Sequence, residues 1–137
     1  MKPIFIAASP NIQKDDLFVA AKQLLTPWNW YNKSSVEKFE GHMEEYLGNG
    51  SNAIAIDSAR SAFYTLLKSY GIGEGDEVLL PSFSCLVIAN PVIWAGAKPI
   101  YVDVNEDDFN INLNDLKKKI TDRTKAVLIQ HTFGLPI

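Results

Sequence analysis

Short apolar runs alternate with helical patterns through the second part of the chain, and this alternation limits the fold more than any other feature. The strand-like runs and the helical patterns follow one another at 53–56, 58–70, 77–80, 84–95, 98–104, 113–120 and 125–130. Alternation of strand and helix favours parallel βαβ units. Continuously apolar runs are typical of strands that helices cover on both faces. The sequence therefore predicts an α/β fold with a mainly parallel sheet.

The part before this alternation reads as helical. An amphipathic helix over 14–25 is expected to begin at Asp15 or Asp16. Ser34 and Glu37 have the spacing of a capping box, which predicts the start of a second helix there.

These patterns predict two domains. Residues 1–52 are expected to form a helical lead-in and residues 53–137 an incomplete α/β domain, since no helix is predicted after the last strand-like run. A strand left open at its edge exposes pairing groups and apolar surface. We therefore expect a piece of a larger domain that associates.

Composition and charge exclude several classes of protein. A net charge of −3 gives no reason to expect binding to nucleic acid. The longest apolar stretch is interrupted at Asn90 and Pro91, whereas a membrane span needs about 20 apolar residues. The first ten residues carry too few apolar side chains for a signal peptide. The single cysteine, Cys85, fits a reducing compartment, so a cytoplasmic protein is expected.

The stretch from Ser58 to Ser61 joins a strand-like run to a helical pattern. The start of a helix offers free backbone N–H groups and the positive end of the helix dipole, and phosphate binds readily there. Ser58, Ala59, Arg60 and Ser61 add hydroxyl groups, small side chains and a cation. Residues alone leave a second interpretation open, in which Ser58 only caps the helix.

Two other motifs are interpreted structurally. The glycines at 71, 73 and 75 follow a helix and precede a strand, the reverse of the order in a dinucleotide fingerprint. Gly71 is expected to end the helix instead. Glu106, Asp107 and Asp108 supply too few oxygen ligands in a defined loop for a metal site, and no metal is expected.

Several motifs in register resemble the DegT-type aminotransferases, pyridoxal-phosphate enzymes of fold type I. The segments that carry the resemblance are SARSAFYTLL, GIGEGDEV with PSF, AGAKPIYVDV, DFNIN and ITDRTKAVLIQHTFG. The resemblance covers nearly the whole chain and implies the N-terminal part of the large domain. It also implies an amino donor, a nucleotide-linked keto-sugar as substrate, and a homodimer at full length.

The resemblance assigns cofactor-binding roles to seven residues. Ser58, Ala59, Arg60 and Ser61 match the phosphate loop, although Arg60 replaces the usual threonine. Cys85 stands where many members place the aromatic ring that stacks on the cofactor, and Phe83 is expected to compensate. His131 matches the histidine of the His-x-x-Gly motif; hydrogen bonding to a neighbouring loop is its alternative role.

The resemblance places the remaining catalytic groups outside this chain. A pyridoxal-phosphate enzyme needs a lysine for the Schiff base and an aspartate at the pyridinium nitrogen. No lysine of the chain matches the family's lysine motif, so no catalytic residue is expected here and the chain alone is expected to be inactive. The alternative is a non-catalytic α/β module that binds a nucleotide or a partner chain.

Overall fold

A computed structural model describes residues 12–137, which form two compact units, one ending at Ala55 and one spanning Ile56–Ile137. The first ten residues, whose composition argued against a signal peptide, lie outside the described residues. No helix among those described is both long and apolar enough to cross a membrane.

The first unit contains two helices, α1 (Lys14–Leu25) and α2 (Lys33–Leu47), joined by a 3₁₀ turn at Pro27–Asn29. The predicted helix over 14–25 is confirmed, but its expected start at Asp15 or Asp16 is wrong, because both residues lie inside the first turn. Its N-cap is Gln13, whose N–H donates to the Asp16 carboxylate at 2.8 Å. Neither helix buries a side chain, so their apolar residues remain in contact with solvent.

The capping box predicted at Ser34 and Glu37 is wrong. The N-cap of α2 is Asn32, whose side-chain oxygen accepts from the Ser34 N–H at 3.0 Å. Asparagine caps as well as serine does. Ser34 therefore lies inside the first turn, and Glu37 instead forms an exposed ion pair with Lys33.

The second unit is an α/β layer structure, as predicted. Its elements are α3 (Ala59–Ser69), β1 (Glu77–Pro81), α4 (Asn90–Ala95), β2 (Lys98–Val102), α5 (Leu113–Lys119) and β3 (Thr124–Val127). The three strands are parallel and lie in the order β2-β1-β3. The predicted helix over 84–95 divides into a 3₁₀ turn at Leu86–Ala89 and α4, and Pro91 lies in the first turn of α4. Gly71 follows α3 with φ +70°, which confirms that it ends this helix.

The strand predicted at 53–56 is not formed. The N–H groups of Ala53 and Ala55 donate instead to the carboxylates of Glu44 and Glu40, at 3.0 and 2.8 Å. A strand needs a neighbour to satisfy its backbone groups, and here side chains of α2 take the place of that neighbour. The described sheet therefore has three strands rather than the four expected.

Two apolar clusters cover opposite faces of the sheet. Val78 and Leu80 pack with α3 and α4, together with Ala126 and Leu128 beside β3. Leu79 points to the other face, because side chains alternate along a strand. There it packs with Val102, Ile111 and Leu116, the last of which lies on α5.

Candidate cofactor site

The start of α3 presents an open helix N-terminus. Ser58 is the N-cap, and its Oγ accepts from the Ser61 N–H at 3.2 Å and lies 2.9 Å from the Ser61 Oγ. The two hydroxyl groups and the backbone are thus fixed relative to one another. Of the two interpretations of Ser58, the capping role is realised, and it leaves the adjoining backbone available for an anion.

Ala59 and Arg60 carry the backbone donors of this N-terminus. Among the described residues, neither N–H donates a hydrogen bond, since the first helical bond runs from Ala62 to the Ser58 carbonyl. Arg60 is exposed and pairs with no described carboxylate. The start of α3 therefore offers two N–H groups without an acceptor among the described residues and the positive end of the helix dipole, with the Arg60 cation in its first turn, and this combination suits a phosphate group.

A cavity of about 620 Å³ opens beside this helix start. It brings together Ala59, Arg60 and Cys85, three of the seven predicted site residues, and two further polar side chains, Ser84 and Gln130. The remaining walls are Ala62, Phe63, Leu66, Val87, Ile88, Pro91 and Leu128. A mostly apolar pocket of this size with a few convergent polar groups has the character of a small-molecule site.

Ser84 and Gln130 are site residues that the sequence analysis missed. The Ser84 hydroxyl donates to the Gln130 Oε1 at 2.7 Å. Ser84 follows β1 and Gln130 follows β3, so both lie beyond the carboxyl ends of adjacent parallel strands, where ligands bind in α/β sheets. The signal available in the sequence was a polar residue near the carboxyl end of each run, Ser84 four residues after 77–80 and Gln130 at the end of 125–130.

Phe83 lies apart from the lining of this cavity. Its ring centroid is 5.0 Å from that of Phe109 and 6.3 Å from that of Phe133. Phe109 and Phe133 have φ of 57° and 54°, a left-handed backbone that is uncommon for bulky residues. The structure thus places Phe83 in an aromatic cluster and does not bring it onto the cavity wall beside Cys85.

His131 also lies outside the cavity lining. Its Nδ1 accepts from the Ile137 N–H at 3.3 Å, which corresponds to the loop-bonding role. The next residue, Thr132, is held by Asn110, whose side-chain oxygen accepts the Thr132 N–H at 3.0 Å. Asn110 is 2% exposed and also donates to the Leu135 carbonyl. The buried amide therefore fixes the segment that carries His131.

The donor set at the start of α3 fits the phosphate of pyridoxal phosphate. Backbone N–H groups and a cation recognise phosphate oxygens, and the apolar walls beyond Cys85 suit a planar ring. No lysine is among the residues that line the cavity, so the described part of the chain brings no amine to this site for a Schiff base.

Comparisons with known proteins all lead to one family of aminotransferases. The sequence model of the DegT/DnrJ/EryC1/StrS aminotransferase family matches residues 11–137. GDP-perosamine synthase of Caulobacter vibrioides is 32% identical over 132 residues, which are 96% of this chain and 35% of that protein. The spore coat polysaccharide biosynthesis protein SpsC of Bacillus subtilis is 33% identical over 126 residues, 91% of this chain and 32% of that protein.

Solved structures resemble the same part of the fold. DesV of S. venezuelae, solved in complex with a ketimine intermediate, has a TM-score of 0.77 at 28% identity, over 90% of this chain and 34% of that one. An aminotransferase from Psychrobacter cryohalolentis has a TM-score of 0.81 at 26% identity, over 95% of this chain and 33% of that one. The chain spans about a third of the length of the relatives that it matches.

Proposed function

Because the chain belongs to the DegT/DnrJ/EryC1/StrS aminotransferase family, we propose that it forms the phosphate-binding corner of a pyridoxal-phosphate-dependent aminotransferase. The observation that carries this proposal is the start of α3, where the unpaired N–H groups of Ala59 and Arg60 and the Arg60 guanidinium meet an apolar cavity. The relatives are named for GDP-perosamine and spore coat polysaccharide synthesis. A nucleotide-linked keto-sugar is accordingly the proposed substrate of the whole enzyme.

Each residue of this corner has a distinct proposed role. The N–H groups of Ala59 and Arg60 bind phosphate oxygens, and the guanidinium of Arg60 neutralises their charge. Ser58 holds the helix start in shape through its bond to the Ser61 N–H. The Cys85 side chain packs beside the ring, while Phe83 and His131 support the loops next to it. Pyridoxal phosphate, when bound, supplies the electron-withdrawing ring on which transamination depends.

Replacing Arg60 with alanine is expected to weaken phosphate-dependent binding by about ten- to a hundredfold. A charge-assisted hydrogen bond contributes about 1.5–3 kcal/mol, and each 1.4 kcal/mol changes Kd tenfold. The measurement is calorimetric titration with pyridoxamine 5′-phosphate, whose amine forms no Schiff base with lysine side chains. Pyridoxamine, which lacks the phosphate, is expected to bind far more weakly and to respond little to Arg60→Ala.

Lys68→Ala is the matched control for this titration. Lys68 lies exposed in the last turn of the same helix, so its removal changes the net charge equally without touching the N-terminus. Equal affinities of the wild type and Arg60→Ala for pyridoxamine 5′-phosphate would contradict the proposed role. So would a wild-type chain that binds the phosphorylated and unphosphorylated compounds equally well.

Borohydride reduction in the presence of pyridoxal phosphate is expected to label no single lysine stoichiometrically. The reason is that no lysine lines the cavity, so no amine is placed to form a specific Schiff base there. Peptide mapping by mass spectrometry measures the labelling at each site. Low, scattered labelling of exposed lysines is the expected result, and full modification of one lysine contradicts it.

A further inference from the structure

The cavity beside the start of α3 contains a hydrogen-bonded pair of neutral polar side chains, Ser84 and Gln130. Both are half-buried. Ser84 lies shortly after Pro81, where β1 ends, and Gln130 shortly after Val127, where β3 ends. Because β1 and β3 are adjacent and parallel, the pair lies at the edge of the sheet where ligands bind in α/β folds. The pair therefore depends on strand pairing within the described unit.

The bond between the two side chains uses only part of the Gln130 amide. The Ser84 hydroxyl donates to Oε1 at 2.7 Å, and the amide carries two further donors on Nε2. No described residue accepts a hydrogen bond from Nε2. Since Ser84 has a single hydroxyl proton to give, its bond fixes the orientation of the amide and leaves the NH₂ group for another partner.

The rest of the cavity lining offers Nε2 no strong side-chain acceptor. Apart from the pair, its polar side chains are Arg60, which carries only donors, and Cys85, whose sulfur is a weak acceptor. The other lining side chains are hydrocarbon. A ligand that fills this cavity removes water from the amide, and a donor that loses water without gaining an acceptor weakens binding. We therefore expect the ligand to bring an acceptor of its own.

We propose that the Gln130 amide, oriented by Ser84, donates to an acceptor atom on the aromatic ring of the ligand whose phosphate binds at the start of α3. This inference rests on the proposed function, because it takes pyridoxal phosphate or its amine form as that ligand. Both compounds carry an oxygen and a nitrogen on the ring, which an apolar phosphate ester lacks. The start of α3 then binds the charge, whereas Gln130 selects a polar ring.

The test compares pyridoxamine 5′-phosphate with benzyl phosphate by calorimetric titration. Benzyl phosphate keeps the phosphate, the methylene link and a six-membered aromatic ring, but its ring has neither hydroxyl nor nitrogen. Gln130→Leu is expected to weaken the binding of pyridoxamine 5′-phosphate by about two- to tenfold, the range that one neutral hydrogen bond represents. This variant is expected to bind benzyl phosphate at least as tightly as the wild type does, which also shows that it is folded.

Ser84 is tested as a positioning residue with the same two ligands. Ser84→Ala is expected to weaken the binding of pyridoxamine 5′-phosphate by less than Gln130→Leu does, since the amide remains but is no longer oriented. Ser84→Thr keeps the hydroxyl and is expected to restore the affinity. Adding Ser84→Ala to Gln130→Leu is expected to cause no further loss, because residues that act through one bond are not additive.

Two further variants separate this effect from changes elsewhere. Arg60→Ala is expected to weaken the binding of both esters by similar factors, because both carry the phosphate. Gln23→Leu makes the same substitution as Gln130→Leu at an exposed position of α1, and it is expected to change neither affinity.

The possible contradictions distinguish this inference from the proposed function. If Gln130→Leu bound pyridoxamine 5′-phosphate as the wild type does while Arg60→Ala weakened both esters, the role of Gln130 would be overturned and the phosphate corner would stand. If Gln130→Leu lost affinity for both esters by the same factor, the side chain would only shape the cavity, which also overturns the inference. If the wild type bound neither ester, the proposed function would fail and this inference with it.

Discussion

Leu79→Ala lowers the free energy of unfolding by about 2–5 kcal/mol, the range found for truncating a fully buried leucine. Leu79 is completely buried in the central strand and packs against Val102 and Ile111. Alanine removes the contacts that hold β1 to the α5 face of the sheet and leaves a cavity that neighbours fill only in part. Urea unfolding followed by circular dichroism measures the change.

Ile93→Ala is the matched control, because leucine and isoleucine lose the same number of carbon atoms. Ile93 lies in α4 and is 57% exposed, and alanine is the better helix former. The urea concentration at the midpoint of unfolding of Ile93→Ala is expected to remain near that of the wild type. If the free energy of unfolding of Leu79→Ala were within about 1 kcal/mol of the wild-type value, the loss would be well below the cost of truncating a buried leucine. That result would show that the α5 face of the sheet is loosely packed.

Asn110→Ala is expected to lower the free energy of unfolding by about 2–4 kcal/mol, since an unsatisfied buried polar group costs about 1–3 kcal/mol. The substitution leaves the buried Thr132 N–H without its acceptor and the Leu135 carbonyl without a donor. It also frees the segment that carries His131. Amide hydrogen exchange at Thr132 is expected to accelerate by more than exchange at β1 does.

Asn114→Ala is the control for this amide. Asn114 is exposed on α5, and only its backbone takes part in a hydrogen bond, to the Asn112 cap. Alanine at that position favours the helix, so no loss of stability is expected. Equal unfolding free energies for Asn110→Ala and Asn114→Ala would contradict the structural role given to the buried network.

Local chemistry explains which elements could be predicted from sequence. The runs at β1, β2 and β3 are short and largely apolar, which made them predictable as strands, and Gly71 has a left-handed backbone that ends α3. The segment 53–56 is equally apolar but forms no strand, because strand formation depends on a neighbour that local sequence does not reveal. Its N–H groups found carboxylates of α2 instead.

Some residues of the candidate site could also be predicted from local sequence, whereas others depend on the tertiary fold. Ser58 to Ser61 are contiguous, so a strand-like run followed by a helix was sufficient to place them at a helix start. Ser84 and Gln130 meet across 46 positions of the chain, and their contact depends on the order of strands in the sheet. Phe83 lies away from the cavity wall because Phe109 and Phe133 hold its ring, a packing partnership that the spacing of aromatic residues does not encode.

The placement of α4 and α5 on opposite faces also fixes how this sheet can grow. The path from β1 to β2 crosses over the face that holds α4, and the path from β2 to β3 returns over the other face in the opposite direction. Both crossovers therefore have the same hand, which in parallel sheets is almost always right-handed. A further parallel strand beside β3, reached from β3 itself, would carry its connecting helix over Val127 and Ile129. A strand added there would therefore bury the Val127 and Ile129 side chains, which are 36% and 57% exposed in the described unit.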